Sequence, residues 1–349
     1  MVFGKKDHLV GLDIGSAFVK VAELKISKKG NFLQKFGIAP VPPGTIEEGR
    51  IVDMESLAGI IRSLFKSQKI REKNVAISTG GHSVVIKTIS TPNVSEEELH
   101  KNIRAEAEQY IPYDIDDVNI DYQILGESEY SAEQMNVLLV AVKKDLVAEY
   151  IELIQMAGLN PSIIDVDAFA LQNLFETLPG EDPETVTLLV DVGASKTSLN
   201  ILKENNSMMM RDMMTGCNHL IDSLSERLEI ERDSAYRIVL GEVPPSNPET
   251  VAEIYEAISS GWCAEICEVV HTFESGTNDI KLEKIVLSGG GGFIQNLYQN
   301  LSSELNVPVS KIDPFGGLIV DPKRFGDMEI FKLQAPIALG LAMRRVDDK

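Results

Sequence analysis

The sequence predicts an α/β protein built from two related halves, and three observations carry that reading. Its 349 residues are 44% hydrophobic and 25% charged, enough apolar material for about two packed cores. Apolar β-type runs alternate with stretches of helical periodicity, the pattern of mixed sheets flanked by helices. The third observation is a repeat: "HLVGLDIGSAFVKVAELK" at 8–25 returns as "VTLLVDVGASKTSLNIL" at 186–202. Placing Asp13 on Asp191 puts Gly15 on Gly193, an offset of 178 residues (191 − 13), about half of the chain.

Taken in order, Leu9–Ile14 and Phe18–Ile26 read as strands around the first turn, with a third near Asn31–Pro40. Leu57, Ile60, Ile61, Leu64 and Phe65 recur at helical spacing, and "NVAIST" is a short buried strand closed by Gly80 and Gly81. Residues 89–162 read as a compact module. Its first helix opens with a capping box, Ser95 and Glu98, and runs toward Pro112. Two strand-like runs, separated by the polar "GESEYSAEQ", precede a second amphipathic helix that Gly158 ends. "NPSIIDVDAFALQNLF" then resumes the first half as strand and helix.

The second half repeats the paired strands over Val186–Leu202, with a strand end at Arg211–Thr215 and helix over most of Asp222–Val239. Pro248 suits the first turn of a long helix reaching about Phe273. "EKIVLSGGGGFIQNLYQNLSSEL" is strand, glycine loop and helix, and "QAPIALGLAMRR" is a closing helix of small residues.

Composition excludes several classes of function. A net charge of −20 argues against nucleic acid, which demands Lys and Arg for its phosphates. No apolar stretch approaches the roughly 18 residues that span a bilayer, and Asp13 breaks the first apolar run, so no signal peptide is expected. Cys217, Cys263 and Cys267 are too few and wrongly spaced for a disulfide framework or zinc site. The chain reads as soluble and cytoplasmic.

The Asp-x-Gly turns carry the chemistry. Glycine lets backbone N–H groups converge on an anion, yet a carboxylate beside them would repel phosphate. It makes sense if it holds Mg²⁺, directly or through water, with the metal bridging to phosphate oxygens. Two such hairpins facing each other would clamp a polyphosphate, and Lys20 could add a point charge. "LSGGGGF" brings backbone close to a ring or phosphate at a helix N-terminus, so the three together favour an adenosine site. "GASKTS" lacks the P-loop spacing, and "GGGGF" is not a dinucleotide fingerprint.

Asp13-Ile14-Gly15-Ser16, Asp191-Val192-Gly193-Ala194-Ser195 and Ser288-Gly289-Gly290-Gly291 resemble the phosphate-1, phosphate-2 and adenosine motifs of the actin, Hsp70 and sugar-kinase superfamily. Within it, "GLDIGSAFVK", "GGHSVVIK", "EAEQYIPYD", "VDVDAFALQN" and "APIALGLAMRR" resemble the type IV pilus assembly PilM family, relatives of FtsA, nearly end to end. The resemblance implies an actin-like ATPase fold of two duplicated RNase H-like domains with an inserted subdomain 1C. Subdomain 1A would be 1–88 with 163–185 and 335–349, and 1C would be 89–162. Subdomain 2A would be 186–221 with 247–334, and 2B would be 222–246.

By the superfamily pattern, Asp13 and Asp191 would orient Mg²⁺ and Ser16, Lys20, Gly193 and Ser195 would face the phosphates of ATP, with Gly15 in the first turn and Gly216 beside the second. Gly289, Gly290 and Gly291 would meet the nucleoside, and Asp167 would orient an attacking water. Family members usually carry Gly-Gly where this chain has Gly216-Cys217, and Tyr236 and Val239 replace a Glu and a Lys near the ribose. The implied partner is the cytoplasmic N-terminal segment of PilN, with PilO and motor ATPases beyond it, at the cytoplasmic face of the inner membrane. Hydrolysis would be slow.

Two other classes stay open: a sugar-kinase-type phosphotransferase, for which no acceptor-site motif is found, and an FtsA-like filament scaffold, whose terminal amphipathic helix is not expected after "RRVDDK". Plainer readings accompany several residues. Asp167 competes with a surface or capping role, "MMMRDMM" reads as a strand with core methionines, and Trp262 as packing. His82 and His219 lack metal or triad spacing.

Overall fold

The computed structural model describes residues 8–346 except 48, 82, 129–130, 278–279, 326–327 and 329–330, so His82 lies outside the described residues. The first lobe opens with β1 (Val10–Ile14), β2 (Phe18–Ser27) and β3 (Gly30–Pro40), then a flap of β4 (Ile46–Glu47) and β5 (Arg50–Ile51). Helix α1 (Met54–Ser67) and strand β6 (Asn74–Thr79) follow. Asp53 caps α1 by accepting from the Ser56 N–H, and Leu57, Ile61, Leu64 and Phe65 turn inward at helical spacing.

Next come β7 (Val84–Pro92), α2 (Glu96–Ala107), β8 (Val118–Ser128), β9 (Ser131–Lys143) and α3 (Lys144–Met156). Strand β10 (Asn160–Val166) and helix α4 (Asp167–Phe175) return to the first lobe. The second lobe runs through β11 (Thr187–Val192), β12 (Thr197–Lys203), β13 (Asn206–Met213), α5 (Cys217–Leu228), α6 (Arg232–Val239), α7 (Pro248–Gly276), β14 (Lys284–Ser288), α8 (Gln295–Leu305) and β15 (Val309–Lys311). The chain then recrosses through β16 (Leu318–Ile319), α9 (Pro322–Phe325) and α10 (Pro336–Met343). Among the described residues no helix is long and apolar enough to cross a membrane.

The repeat in the sequence is a repeat in space. One sheet has the order β10-β6-β1-β2-β3-β16 and the other β15-β14-β11-β12-β13. In both, the hairpin that begins the half pairs antiparallel, and its first strand lies parallel to the strand ending in the glycine loop. Asp13 faces Lys20 across the first hairpin, and Asp191 faces Ser198 at the matching place in the second.

Between the sheets lie α4 and α10. A core of Leu24, Phe36, Leu171, Leu174, Leu189, Val286 and Leu339 draws on both sheets and both helices. The helices reach this position through glycine: a Cβ at Gly340 would collide with the Ala170 carbonyl of α4, and one at Gly11 with the Ala338 carbonyl of α10. Gln172 of α4 adds a polar tie. Its amide donates to Glu176 (2.7 Å) and to the Asn205 carbonyl (2.9 Å), and its oxygen accepts from Asn200 (3.2 Å) and Ser207 (2.7 Å) of the second lobe.

The inserted module has its own core, in which Leu99, Ile103 and Ala107 of α2 cover Val137, Leu139 and Ala141 of the sheet β7-β9-β8. Three expectations change here. Strand β7 begins the module at Val84. The stretch "GESEYSAEQ" is largely strand, because β8 and β9 pair as far as Ser128 and Ser131. And α3 belongs to the first lobe, where Leu146, Tyr150, Leu153 and Ile154 join the core of β1, β2 and α1. Helix α2 keeps its Ser95 cap but ends at Ala107, five residues before Pro112 (112 − 107). Trp262 is buried in the second core, beside which Met208 and Met209 pack, and His219 is exposed.

Gly340→Ala should lower stability by about 1–3 kcal/mol in urea denaturation, because the added carbon meets backbone that cannot yield. Gly261→Ala in α7, where a Cβ meets nothing within 4 Å, should instead raise it by about 0.5–1 kcal/mol.

Candidate functional site

The facing hairpins and glycine loops enclose a cleft of about 1540 Å³ between the lobes. Asp13, Gly15, Ser16, Lys20, Asp167, Asp191, Gly193, Ser195, Gly289 and Gly290 all line it. Most of the residues singled out in the sequence therefore converge on one space. Gly216 and Gly291 do not line it. Gly216 packs against the Gly193 and Ala194 carbonyls, and a Cβ on Gly291 would strike the Val192 side chain. Both let the walls close up behind the cleft.

The two turns have the same geometry. The Gly15 N–H donates to the Phe18 carbonyl at 3.0 Å, and the Gly193 N–H to Lys196 at 2.9 Å. These glycine N–H groups close their own hairpins, so both glycines serve the site by shape. Helix α5 is seated on the second turn, its Cys217 and Asn218 N–H groups donating to the Gly193 and Ala194 carbonyls. Across the cleft the Ser16 and Ser195 hydroxyls meet at 3.0 Å, one from each lobe.

The carboxylates differ in what balances them. Asp13 lies 2.9 Å from the Lys20 ammonium, which offsets part of its burial; burial still leaves its pKa above the ordinary value. Asp191 faces Ser198 where Asp13 faces Lys20. Burial pushes its carboxyl up to about 6, against a smaller pull from the Ser288 hydroxyl and Lys20. A buried carboxylate so weakly compensated favours a cation. Among the described residues no three His, Cys, Asp or Glu gather into a metal cage. Mg²⁺ held by one or two carboxylates, waters and phosphate oxygens needs none, so the residues fit that ion.

Lys196 and Asp212 escaped the reading of the sequence. Lys196 Nζ lies 2.8 Å from Asp167 and 3.1 Å from Asp212. Burial would lower the lysine pKa, but these two carboxylates outweigh it and hold the ammonium charged. Asp212 in turn accepts from the Gly81 N–H at 2.5 Å. Ser78-Thr79-Gly80-Gly81 was also missed. It leaves β6 as Ser288-Gly289-Gly290-Gly291 leaves β14, and that internal likeness was a signal in the sequence. Cys217, Tyr236 and Val239 line the cleft too, with burial pushing the Cys217 thiol up to about 12, so it stays neutral.

Between pH 3.8 and about 6 the folded chain keeps a proton on Asp191 that the unfolded chain has released. Stability through this group therefore falls as pH rises across that window. With no cation added, Asp191→Asn should stabilise the protein by about 1–3 kcal/mol at pH 7, and thermal melts should show the gain vanish below pH 3.8.

A sequence profile of the family described as Type IV pilus assembly protein PilM matches residues 11–346. The chain is similar to the solved structure named "PilM-PilN type IV pilus biogenesis complex", with 26% identity, a TM-score of 0.87, and 98% of this chain and 99% of that chain covered. It shares its fold with the ethanolamine utilization protein EutJ from Carboxydothermus hydrogenoformans, at 14% identity and TM-score 0.58, covering 96% of this chain and 89% of that one. With two duplicated sheets around one cleft, an actin-like ATPase fold, the chain belongs to the type IV pilus assembly protein PilM family.

Proposed function

We propose that this family member binds Mg²⁺ and ATP between its lobes and docks the cytoplasmic N-terminal segment of PilN, coupling nucleotide state to the pilus machinery at the inner membrane. The observation that carries the nucleotide reading is the pair of hairpins in matching register that bring Asp13 and Asp191 to one cleft. Asp13 and Asp191 would hold Mg²⁺, which when bound would supply positive charge to offset that of the phosphates. Lys20, Ser16 and Ser195 line the cleft and would meet the phosphates. Gly290, where a Cβ would meet nothing closer than 3.9 Å, would leave room for the nucleoside, and Gly289 would bring the loop in close against the Val192 backbone. Asp167 starts α4 on the cleft wall and would be the group that orients a water.

Docking rests on the similar PilM-PilN complex and on the module. Among the described residues, none from 84–143 lines the cleft. A segment with its own core that contributes nothing to the cleft suits a contact role. An extended apolar peptide between the module and the first lobe would gain roughly 1.5–3 kcal/mol per buried side chain, so a few anchors reach micromolar affinity. Through such a partner the protein would sit at the inner membrane.

Asp13→Ala and Asp191→Ala should each lower ATP affinity at least about tenfold in calorimetry, and EDTA should do the same to the unaltered protein. Unchanged affinity in both variants rejects the clamp. A PilN N-terminal peptide carrying a photo-crosslinker should label the module or the first-lobe surface beside it. Labelling confined to α5 and α6, or to the cleft, rejects the docking site.

A further inference from the structure

Two of the contacts that join the lobes run through one side chain cluster, of which the proposed function uses only Asp167. Lys196 ends the turn of the second hairpin, and its ammonium reaches over to Asp167, the first residue of α4 in the first lobe, at 2.8 Å. Its other partner, Asp212 of β13, accepts from the Gly81 N–H of the first lobe. The lysine is seated against the first-lobe glycine loop: a Cβ on Gly80 would collide with its Nζ. Lys196, Asp167, Gly80 and Gly81 all line the cleft. Any polyphosphate held between the two turns comes within reach of an ammonium that already has a carboxylate partner in the opposite lobe.

We propose that Lys196 is a positioning residue and an interlobe latch for which Asp167 and the terminal phosphate of a bound nucleotide compete. This rests on the nucleotide reading of the cleft. A terminal phosphate carries more negative charge than one carboxylate, so it draws the ammonium away from Asp167. Two consequences follow from the same exchange. The tie through α4 is exchanged for one through the phosphate, and the Asp167 carboxylate is freed to accept a hydrogen bond from water. ADP, which lacks the γ-phosphate that is terminal in ATP, leaves the latch closed.

The competition gives the two partners opposite signs, which a merely structural pair would not. Calorimetry with Mg-ATP and Mg-ADP should find ATP affinity lowered about tenfold in Lys196→Met and raised several-fold in Asp167→Asn, with ADP affinity shifted less than ATP affinity, and in the same direction for both variants. Lys196→Arg should restore most of the ATP affinity. The double variant should behave as Lys196→Met, since the competitor has nothing left to compete for. Spin labels attached through a non-cysteine handle at Ser63 and Glu268, both exposed, report the lobe separation. Without nucleotide both single variants should broaden that distribution. Unchanged or lowered ATP affinity in Asp167→Asn overturns the competition, and unchanged distances in both variants overturn the latch. If the unaltered protein binds neither nucleotide, the functional reading falls and the switch falls with it.

Discussion

The close approach of α10 to both β1 and α4 is the constraint on which the rest of the structure depends. Backbone meets backbone at Gly340 on Ala170 and at Gly11 on Ala338, leaving no room for even one carbon. With the two helices that near, a single apolar layer can take side chains from both sheets. The hairpins of the two halves then face each other over one cleft. A wider wall would separate Asp13 from Asp191, and neither turn alone could enclose a ligand.

Duplication supplies the frame, and departures from it supply the electrostatics. The two hairpins agree in register and in the hydrogen bond that closes each turn. They differ where Lys20 is matched by Ser198, which leaves Asp191 with little local compensation and a carboxyl pushed up to about 6. The second turn carries Lys196 where the first carries Phe18, and that lysine faces the opposite lobe. Each lobe thus contributes one ammonium, but Lys20 serves its own lobe and Lys196 bridges the two.

The module of β7, α2, β8 and β9 stands apart from this logic. Its core is separate, yet it joins the first lobe twice, through the glycine loop that leads from β6 into β7 and through α3, whose apolar face is part of the lobe itself. Such an arrangement fixes the module on the lobe that carries Asp13 and Asp167.

The sequence by itself determined the α/β class, the two halves and the turns that bear Asp13 and Asp191, because hydrophobic period and glycine turns are local properties. It also located the cap at Ser95 and the buried Trp262, and the likeness to the PilM family extended these readings to most of the cleft residues. Other features were decided by tertiary structure alone. Whether α3 belongs to the module or the lobe depends on which neighbour covers its apolar face, and its own periodicity is the same in either case. Gly216 and Gly291 sit in the motif stretch, yet their neighbours place them behind the wall. Lys196 looked like part of a failed P-loop, and Asp212 like a break in a methionine run. Their pairing with Asp167 joins residues far apart in the chain, and only packing the two lobes together brings those charges within hydrogen-bond distance.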